Sequence, residues 1–486
     1  MIIPTRLSLL LLLLLLRQQH AATDSQCLSE LQRLCRQQQD AGVQQCEACA
    51  GTHAGPLRSA GCTNDEIRHW CSKQLLRYRV LSNQEWPSCC VRPTPGCVGT
   101  PTPKNYTLSN LPDFTKWRIE TNPGLAFDGK VVSTFYGLGL IPGFSGMGPG
   151  GLCADGDWNC TNATAINGGL PQLANLTAHL TLVQQGIEAT YPDPNWDGIA
   201  AIDFESWKPV FSTDAIEAQA HPYYRQLWIY VNRSIELARQ RHPTYTEPQL
   251  VAAGAAEFNA ASQVFWNATF ALLKAIRPRG RFGLYNYPGQ DDGCGAACGA
   301  DSHTRFDNSN LWLYSQLDVL MPSIYARTAD SAAYRAFVDV QLMETRRVRD
   351  SILQRTGRLL PIYTYTWAEY YIGLAYSWPQ LLTAVDVETA FVRPSAVWGA
   401  AGSVLWGGRA QSLNRTLCGD GTGSISAFVN TTLGPAVLRA SQWADQCAAS
   451  RCSGHGRCWG GGAVGPEACD CDIGFSGPSC TSPATN

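Results

Sequence analysis

The stretch WDGIAAIDFESWKPVF, Trp196 to Phe211, decides the fold that this sequence predicts. Trp-Asp-Gly is a turn signal, and the short apolar run Ile-Ala-Ala-Ile that follows it is typical of a buried strand. Asp203 and Glu205 come directly after this run. Because side chains alternate along a strand, both carboxylates are expected on one face, with Cβ atoms roughly 6–7 Å apart.

Two carboxylates at that spacing are suited to acid–base chemistry. Like charges so close raise the pKa of one group, so that one carboxyl stays protonated while its neighbour is ionised. Glycoside hydrolysis uses such a pair. The alternative interpretation is a pair of solvated carboxylates at a strand end, and the two residues by themselves leave both open.

Strands alternate with helices on both sides of this stretch, from about residue 105 to 440. Apolar strands are predicted at 131–139, 198–205, 281–288, 317–325, 359–367 and 401–407. Amphipathic segments are predicted at 173–189, 224–240, 248–276 and 331–355. Strands joined by crossover helices indicate an α/β fold with a parallel sheet covered on both faces. At this length the natural closure is a (β/α) barrel of the TIM type.

Acidic and aromatic side chains are predicted together at the C-terminal ends of these strands, where barrel active sites lie. They are Asp203, Glu205, Tyr285, Tyr325, Tyr365 and Trp406. A single aromatic there is usually a packing residue. Four beside two carboxylates indicate a sugar cleft, because rings stack on pyranose faces and tyrosine hydroxyls bond to sugar oxygens.

Composition restricts the class of partner. The chain has 486 residues and a net charge of −2, which argues against a general nucleic-acid binder with its basic excess. A polyanionic partner would therefore need a local group of basic residues. The sequence predicts neither a metal site nor a cofactor.

Several features predict a secreted or lumenal protein. Residues 1–22 have the arginine, apolar run and small residues of a signal peptide, and the run is too short for a transmembrane helix. The 20 cysteines are typical of disulfides in an oxidising compartment. Eight glycosylation sequons agree, at Asn105, Asn159, Asn162, Asn175, Asn232, Asn267, Asn414 and Asn430.

Cysteine-rich segments flank the central domain at 91–440. Residues 23–90 hold eight cysteines, and the disulfide interpretation of Cys46-x-x-Cys49 outweighs zinc or redox chemistry in a segment of this kind. Residues 441–486 carry the spacing C-x4-C-x5-C-x10-C-x-C-x8-C, which is an EGF-like signature. Pairing first to third, second to fourth and fifth to sixth would give Cys447–Cys458, Cys452–Cys469 and Cys471–Cys480.

From about residue 91 to 480 the chain resembles the hyaluronidase family of glycoside hydrolases, of the bee-venom, lysosomal and sperm-surface type. The matching segments keep the family's order: NPGLAFDGKVVSTFY (122–136), NGGLPQLANLTAHL (167–180), GIAAIDFESWKP (198–209), RPRGRFGLYNYP (277–288), MPSIY (321–325), LPIYTY (360–365), GSVLWG (402–407) and CSGHGRC (452–458). The resemblance implies a distorted TIM-type barrel and cleavage of hyaluronan or chondroitin by a monomer without cofactor.

Site residues are implied by the same resemblance. Glu205 matches the family's acid/base and Asp203 its partner carboxylate, while Tyr325 supports the reacting acetamide. The cleft positions that match are Tyr136, Tyr285, Tyr365 and Trp406. In this family the nucleophile is the substrate's own acetamido oxygen, and water then opens the oxazolinium-like intermediate with retention, an exception to the two-carboxylate scheme.

Departures from the family pattern concern charge and disulfides. Gln341 stands where the family usually has an arginine, so Arg327 is the candidate for holding a uronate, with Arg346 and Arg347 nearby. The resemblance also implies a Cys97–Cys418 bridge. Cys294 and Cys298 are expected to close a local loop, and Cys153 and Cys160 flank an insertion.

Two other functions fit parts of the sequence. WDGIAAIDFE is similar to the chitinase D-G-x-D-x-D-x-E strand, but one extra residue separates Gly198 from Asp203, and alanines occupy the middle acidic position. A non-catalytic glycan-binding or adhesion protein on the same barrel is the second alternative. Loss of Glu205 or Tyr325 would have indicated it, and both are present.

Overall fold

The computed structural model describes sixteen stretches and single positions of the chain: 27, 30–31, 33–35, 49–60, 62, 67, 77–84, 114–144, 164–205, 207–211, 225–289, 302–370, 381–407, 425–461, 464–472 and 475–483. The predicted signal peptide lies outside these residues. So do the Cys97–Cys418 bridge, the cysteine pairs 153/160 and 294/298, and the sequons at 105, 159, 162 and 414.

Two compact units make up the chain, residues 1–77 and 78–486. In the first, Cys27 bonds to Cys62 and Cys35 to Cys49 around buried leucines, and a short helix α1 (Ala54–Ser59) follows. The disulfide interpretation is thereby confirmed for four of the eight cysteines. The alternative interpretation of Cys49 as a zinc ligand is wrong, because its sulfur is in the disulfide with Cys35.

Parallel strands form the frame of the second unit. The strands, in chain order, are β1 (Arg79–Gln84), β2 (Ile119–Thr121), β3 (Val132–Phe135), β4 (Gly143–Phe144), β5 (Ala165–Ile166), β6 (Ile199–Ile202), β7 (Arg281–Leu284), β8 (Tyr363–Thr366) and β9 (Gly402–Gly407). One parallel sheet has the order β2-β1-β9-β8 and another the order β3-β6-β7, while β4 and β5 form a separate antiparallel pair.

The segment predicted as a strand at 317–325 connects the two parallel sheets. Tyr285 after β7 bridges to Met321, and Leu320 and Ser323 bridge in parallel to Ile362 and Tyr365. One buried apolar cluster takes side chains from both sheets and from this segment: Leu81, Val132, Ile199, Ala201, Val319, Met321, Tyr363, Tyr365, Ala401 and Val404. The two sheets therefore share an interior.

Strand β1 corrects the predicted domain boundary. The sequence predicts a central domain that begins at residue 91, but β1 runs parallel to β9 over its whole length, with Ser82 opposite Leu405. Hydrogen bonding to β2 on the other side makes β1 an internal strand. The second unit therefore begins at Tyr78, and the predicted 23–90 module is too long at its C-terminal end.

Helices connect and cover the strands close to where the sequence predicted them. In chain order they are α2 (Leu176–Thr190), α3 (Arg225–Arg241), α4 (Glu247–Ile276), α5 (Ser302–Ser309), α6 (Leu311–Tyr314), α7 (Ser331–Thr356), α8 (Ala384–Asp386), α9 (Arg393–Val397), α10 (Ile425–Phe428) and α11 (Gly434–Arg451). Asp330 caps α7 by accepting from two backbone N–H groups, and Gly357 ends it with a positive φ. Among the described helices none is long and apolar enough to cross a membrane.

The C-terminal segment forms two small antiparallel hairpins, β10 (Gly456–Trp459) with β11 (Ala468–Cys471) and β12 (Phe475–Ser476) with β13 (Ser482–Pro483). Its three disulfides are Cys447–Cys458, Cys452–Cys469 and Cys471–Cys480, which confirms the predicted pairing. Asp470 accepts from the buried Arg346 and Arg349 of α7, 2.8 Å from each, and the Arg346 guanidinium lies 3.4 Å from the centre of the Trp459 ring. These contacts attach the segment to α7.

Candidate active site

The two carboxylates lie at the C-terminal end of β6, between β3 and β7. The Asp203 N–H donates to Phe135 O (2.9 Å), and the Tyr285 N–H donates to Ile202 O (3.0 Å), so the backbone fixes Asp203 beside Tyr285. The strand ends at Ile202, which is earlier than predicted. Asp203 is partly buried and Glu205 is exposed, while Phe204 between them is buried, which agrees with the two carboxylates lying on one face.

This difference in burial separates the two carboxyl groups chemically. Burial, and next the charge of Glu205, raise the pKa of Asp203 to about 8. The proton that a like-charged pair retains is therefore assigned to Asp203 at neutral pH. The sequence predicts that one carboxyl group of this pair stays protonated. It also predicts that the pair carries the acid–base chemistry.

The raised pKa predicts how stability depends on pH. The ordinary pKa of an aspartate is 3.8, so between that value and about 8 the folded protein holds a proton that the unfolded chain has released. Raising the pH from about 5 to about 8 therefore lowers the free energy of unfolding. Asp203→Asn removes this contribution, and its melting temperature should fall less between these two pH values than that of the wild type. Equal falls in thermal unfolding scans would contradict the assignment.

Three tyrosines surround the carboxylates. Tyr285 lies at the end of β7, and its ring centre is 5.3 Å from that of Tyr365 and 6.2 Å from that of Tyr325. Burial is the main cause that raises the pKa of each phenol, and the charge of Asp203 adds to it in all three. The hydroxyls therefore stay protonated and can donate hydrogen bonds.

A hydrogen-bond network holds Tyr365 in place. Its hydroxyl lies 3.0 Å from Thr134 Oγ1 of β3, which in turn donates to Asn83 Oδ1 of β1 at 3.0 Å. Asn83 also donates to Phe127 O at 2.7 Å. Both Thr134 and Asn83 are buried, so side chains of three strands fix this tyrosine below the site.

Indole and phenol rings form one wall of the site. Trp406 in β9 donates from Nε1 to the Tyr136 hydroxyl at 2.8 Å, and Tyr136 is 58% exposed. The Trp406 ring stacks on Trp367, with 5.3 Å between centres and 19° between planes. The centre of the Trp367 ring also lies 5.1 Å from the centre of the Tyr325 ring. The predicted cleft aromatics are thus brought together.

Trp367 is a site residue that the sequence analysis did not single out. It follows Tyr365 by two positions at the end of β8, and strand alternation would have placed both on the same side. It connects the ring wall at Trp406 to the buried Tyr325. The signal was therefore present in the sequence LPIYTYTW.

The arginines near Gln341 have different surroundings. Gln341 is buried and donates to Pro288 O at 2.9 Å, so it supports the chain after Tyr285. Arg347 pairs with Glu344 at 2.6 Å, and Arg346 contacts the C-terminal segment. Arg327 is exposed two residues beyond Tyr325, and it remains the candidate among these three.

Fold and site together define a class. In a parallel α/β fold, a carboxylate pair that shares a proton and a wall of aromatic rings lie at the C-terminal ends of the strands. This arrangement is typical of a glycoside hydrolase.

Comparisons with known proteins give the family. Residues 112–461 match the family model described as hyaluronidase, glycoside hydrolase family 56. Hyaluronidase-1 of Bos taurus is 30% identical over 359 residues, 71% of either chain, and a chondroitin hydrolase of Caenorhabditis elegans is 30% identical over 387 residues, 76% of either chain. The chain belongs to the hyaluronidase family of glycoside hydrolases.

A solved structure shows the same fold. Bee venom hyaluronidase in complex with a hyaluronic acid tetramer matches 75% of this chain and 99% of its own, with a TM-score of 0.58 and 24% identity.

Proposed function

We propose that the protein is an endo-β-N-acetylhexosaminidase that cleaves the β-1,4 bond after N-acetylhexosamine in hyaluronan or chondroitin, with retention. The observation that carries this proposal is the position of the carboxylate pair: Asp203 and Glu205 follow β6 directly, and the Asp203 backbone is fixed beside Tyr285, whose ring contacts Tyr325 and Tyr365. The named activities of a hyaluronidase and a chondroitin hydrolase related to this chain support the substrate class.

In this proposal the substrate's acetamido oxygen attacks the anomeric carbon. The proton that the pair shares passes from Asp203 to Glu205, which gives it to the leaving oxygen and then takes a proton from the water that opens the cyclic intermediate. Asp203 orients the acetamide, and the Tyr325 hydroxyl donates to its oxygen. Burial of Tyr325 supports this role, because a fixed donor in a site of low dielectric stabilises developing charge.

We also propose that the two parallel sheets close into a distorted TIM-type barrel. The shared interior cluster and the Thr134–Asn83 hydrogen bond between β3 and β1 support closure. The segment 441–486 is proposed to be an EGF-like module, and the three disulfides support this. A secreted or lysosomal monomer fits the disulfides and the signal peptide that the sequence predicts.

The experiment that tests the substrate is a digest. Purified protein is incubated with hyaluronan and, separately, with chondroitin, and the products are sized over time. An endo-acting hydrolase shortens the polymer quickly and accumulates even-numbered oligosaccharides. Both polymers unchanged at acidic and neutral pH would contradict the proposal, and cleavage of one alone would identify the preferred substrate.

Arg327 gives a separate prediction about charge. A protein of net charge −2 does not attract a polyanion through its whole field, so cations beside the cleft must do so. Arg327→Ala is expected to raise the KM for hyaluronan, most strongly at low salt where screening is weak. Cleavage of an uncharged N-acetylglucosamine analogue that the enzyme accepts is the control. Equal losses on both substrates would show a structural role instead.

A further inference from the structure

A buried histidine of helix α2 contacts the segment that joins β3 to β4, residues 136–142, which begins with the cleft residue Tyr136. We propose that His179, as a neutral imidazole with its proton on Nε2, is a positioning residue for the active site. It fastens this β3–β4 segment, and the segment holds Trp207 next to Glu205. The inference rests on the proposed function, since it concerns the same site.

Both backbone polar groups of Leu140, in the β3–β4 segment, bond to side chains. Leu140 belongs to no helix or strand, and its N–H donates to His179 Nδ1 at 3.0 Å. Its carbonyl oxygen accepts from Asn167 Nδ2 at 2.7 Å. The segment passes so close to α2 that a Cβ on Gly139, whose φ is +62°, would lie 2.5 Å from Val183 Cγ2. His179 and Asn167 therefore fix the course of the segment over α2.

The hydrogen bonds of the His179 ring define its tautomer. Nδ1 accepts from Leu140, so the ring proton is on Nε2, which lies 3.0 Å from Thr269 Oγ1 of α4. The Thr269 hydroxyl spends its own hydrogen on Phe265 O at 2.8 Å, so its oxygen accepts from Nε2. His179 is fully buried, and burial lowers its pKa to about 4. A second ring proton would face the Leu140 N–H, and the ring therefore stays neutral at neutral pH.

Two residues after Leu140, the β3–β4 segment contacts the chain that follows the carboxylates. Pro142 O accepts from Trp207 Nε1 at 2.9 Å, and Trp207 is buried. The Trp207 ring packs edge-on against Phe204, with 4.7 Å between ring centres, and Phe204 lies between the two carboxylates in the chain. A shift of the segment therefore reaches the backbone that carries Glu205, and small misplacements of a catalytic group slow turnover.

Two amide substitutions separate the positioning role from simple packing. His179→Asn places an amide oxygen near the position of Nδ1 and can still accept from Leu140, whereas His179→Gln places its amide nearer to Nε2 and removes this acceptor. Both remove the ring that contacts Phe265, so their melting temperatures should fall by similar amounts. Thr181→Ala is the surface control, because Thr181 is exposed on the same helix.

The full chain and the three variants are compared by initial rates on hyaluronan, thermal unfolding and hydrogen–deuterium exchange. We expect His179→Gln to lower kcat by about 10-fold or more, because it loosens the support of Glu205. The KM should change little, since Trp406 still holds Tyr136. Exchange should rise in the peptide covering 137–144 and in the one containing Phe204 and Trp207. His179→Asn and Thr181→Ala should stay near the wild type in kcat and in exchange.

Equal losses of kcat in His179→Asn and His179→Gln would show a packing role and overturn the inference, as would unchanged exchange around Trp207 in His179→Gln. Exchange is measured without substrate, so the two proposals fail separately. Faster exchange around Trp207 in His179→Gln alone, together with a wild type that cleaves neither polymer, would contradict the proposed hydrolysis and support the positioning role. An active wild type whose His179→Gln variant keeps its kcat would contradict the positioning role alone.

Discussion

Glu205→Gln is expected to lower the turnover of hyaluronan by at least about 10²-fold, the range in which general acid–base catalysis contributes. The amide keeps the shape of the side chain but cannot give a proton to the leaving oxygen or take one from water. Glu205 is exposed, so the substitution should leave the fold intact. The measurement is the initial rate on hyaluronan at saturating substrate.

Asp203→Asn is the companion measurement for that variant. It removes the group that holds the shared proton, and it should also slow turnover while changing the pH dependence of stability. A folded Glu205→Gln protein with near-normal turnover would show that another group supplies the proton, and the assignment of the site would be wrong.

Removal of N-acetyl groups from the substrate is expected to abolish cleavage. A free amine has no carbonyl oxygen to attack the anomeric carbon, so the first step of the substrate-assisted route is lost. The measurement compares hyaluronan, chemically N-deacetylated hyaluronan and the same polymer after chemical re-acetylation. Re-acetylation should restore cleavage, which separates loss of the nucleophile from damage to the chain. Rapid cleavage of the deacetylated polymer would require a nucleophile from the protein.

Secondary structure with strong periodicity could be predicted from the sequence. The helix predicted at 248–276 is α4 (Glu247–Ile276), and the one predicted at 331–355 is α7 (Ser331–Thr356). Strand β1 was missed because RVLSNQ (79–84) is short and half polar. Its pairing with β2 and β9 comes from residues far along the chain, and no local pattern contains that information.

The grouping of aromatic rings near the strand ends could be predicted from the sequence, whereas the position of the shared proton could not. Strand-end positions placed Tyr285, Tyr365 and Trp406 together before their contacts were known. The position of the shared proton depends on the unequal burial of Asp203 and Glu205, which the spacing of two residues does not determine. Likewise, Gln341 supports Pro288 through a hydrogen bond that only the packing of α7 reveals.

One time-resolved digest of hyaluronan followed by proton NMR tests the central claim most directly. The account predicts that new reducing-end N-acetylglucosamine appears first as the β-anomer and then mutarotates, because the acetamido oxygen and the water attack in succession with net retention. The α-anomer appearing first would mean inversion and a different arrangement of the two carboxylates. No new reducing end at all would contradict the proposed hydrolysis itself.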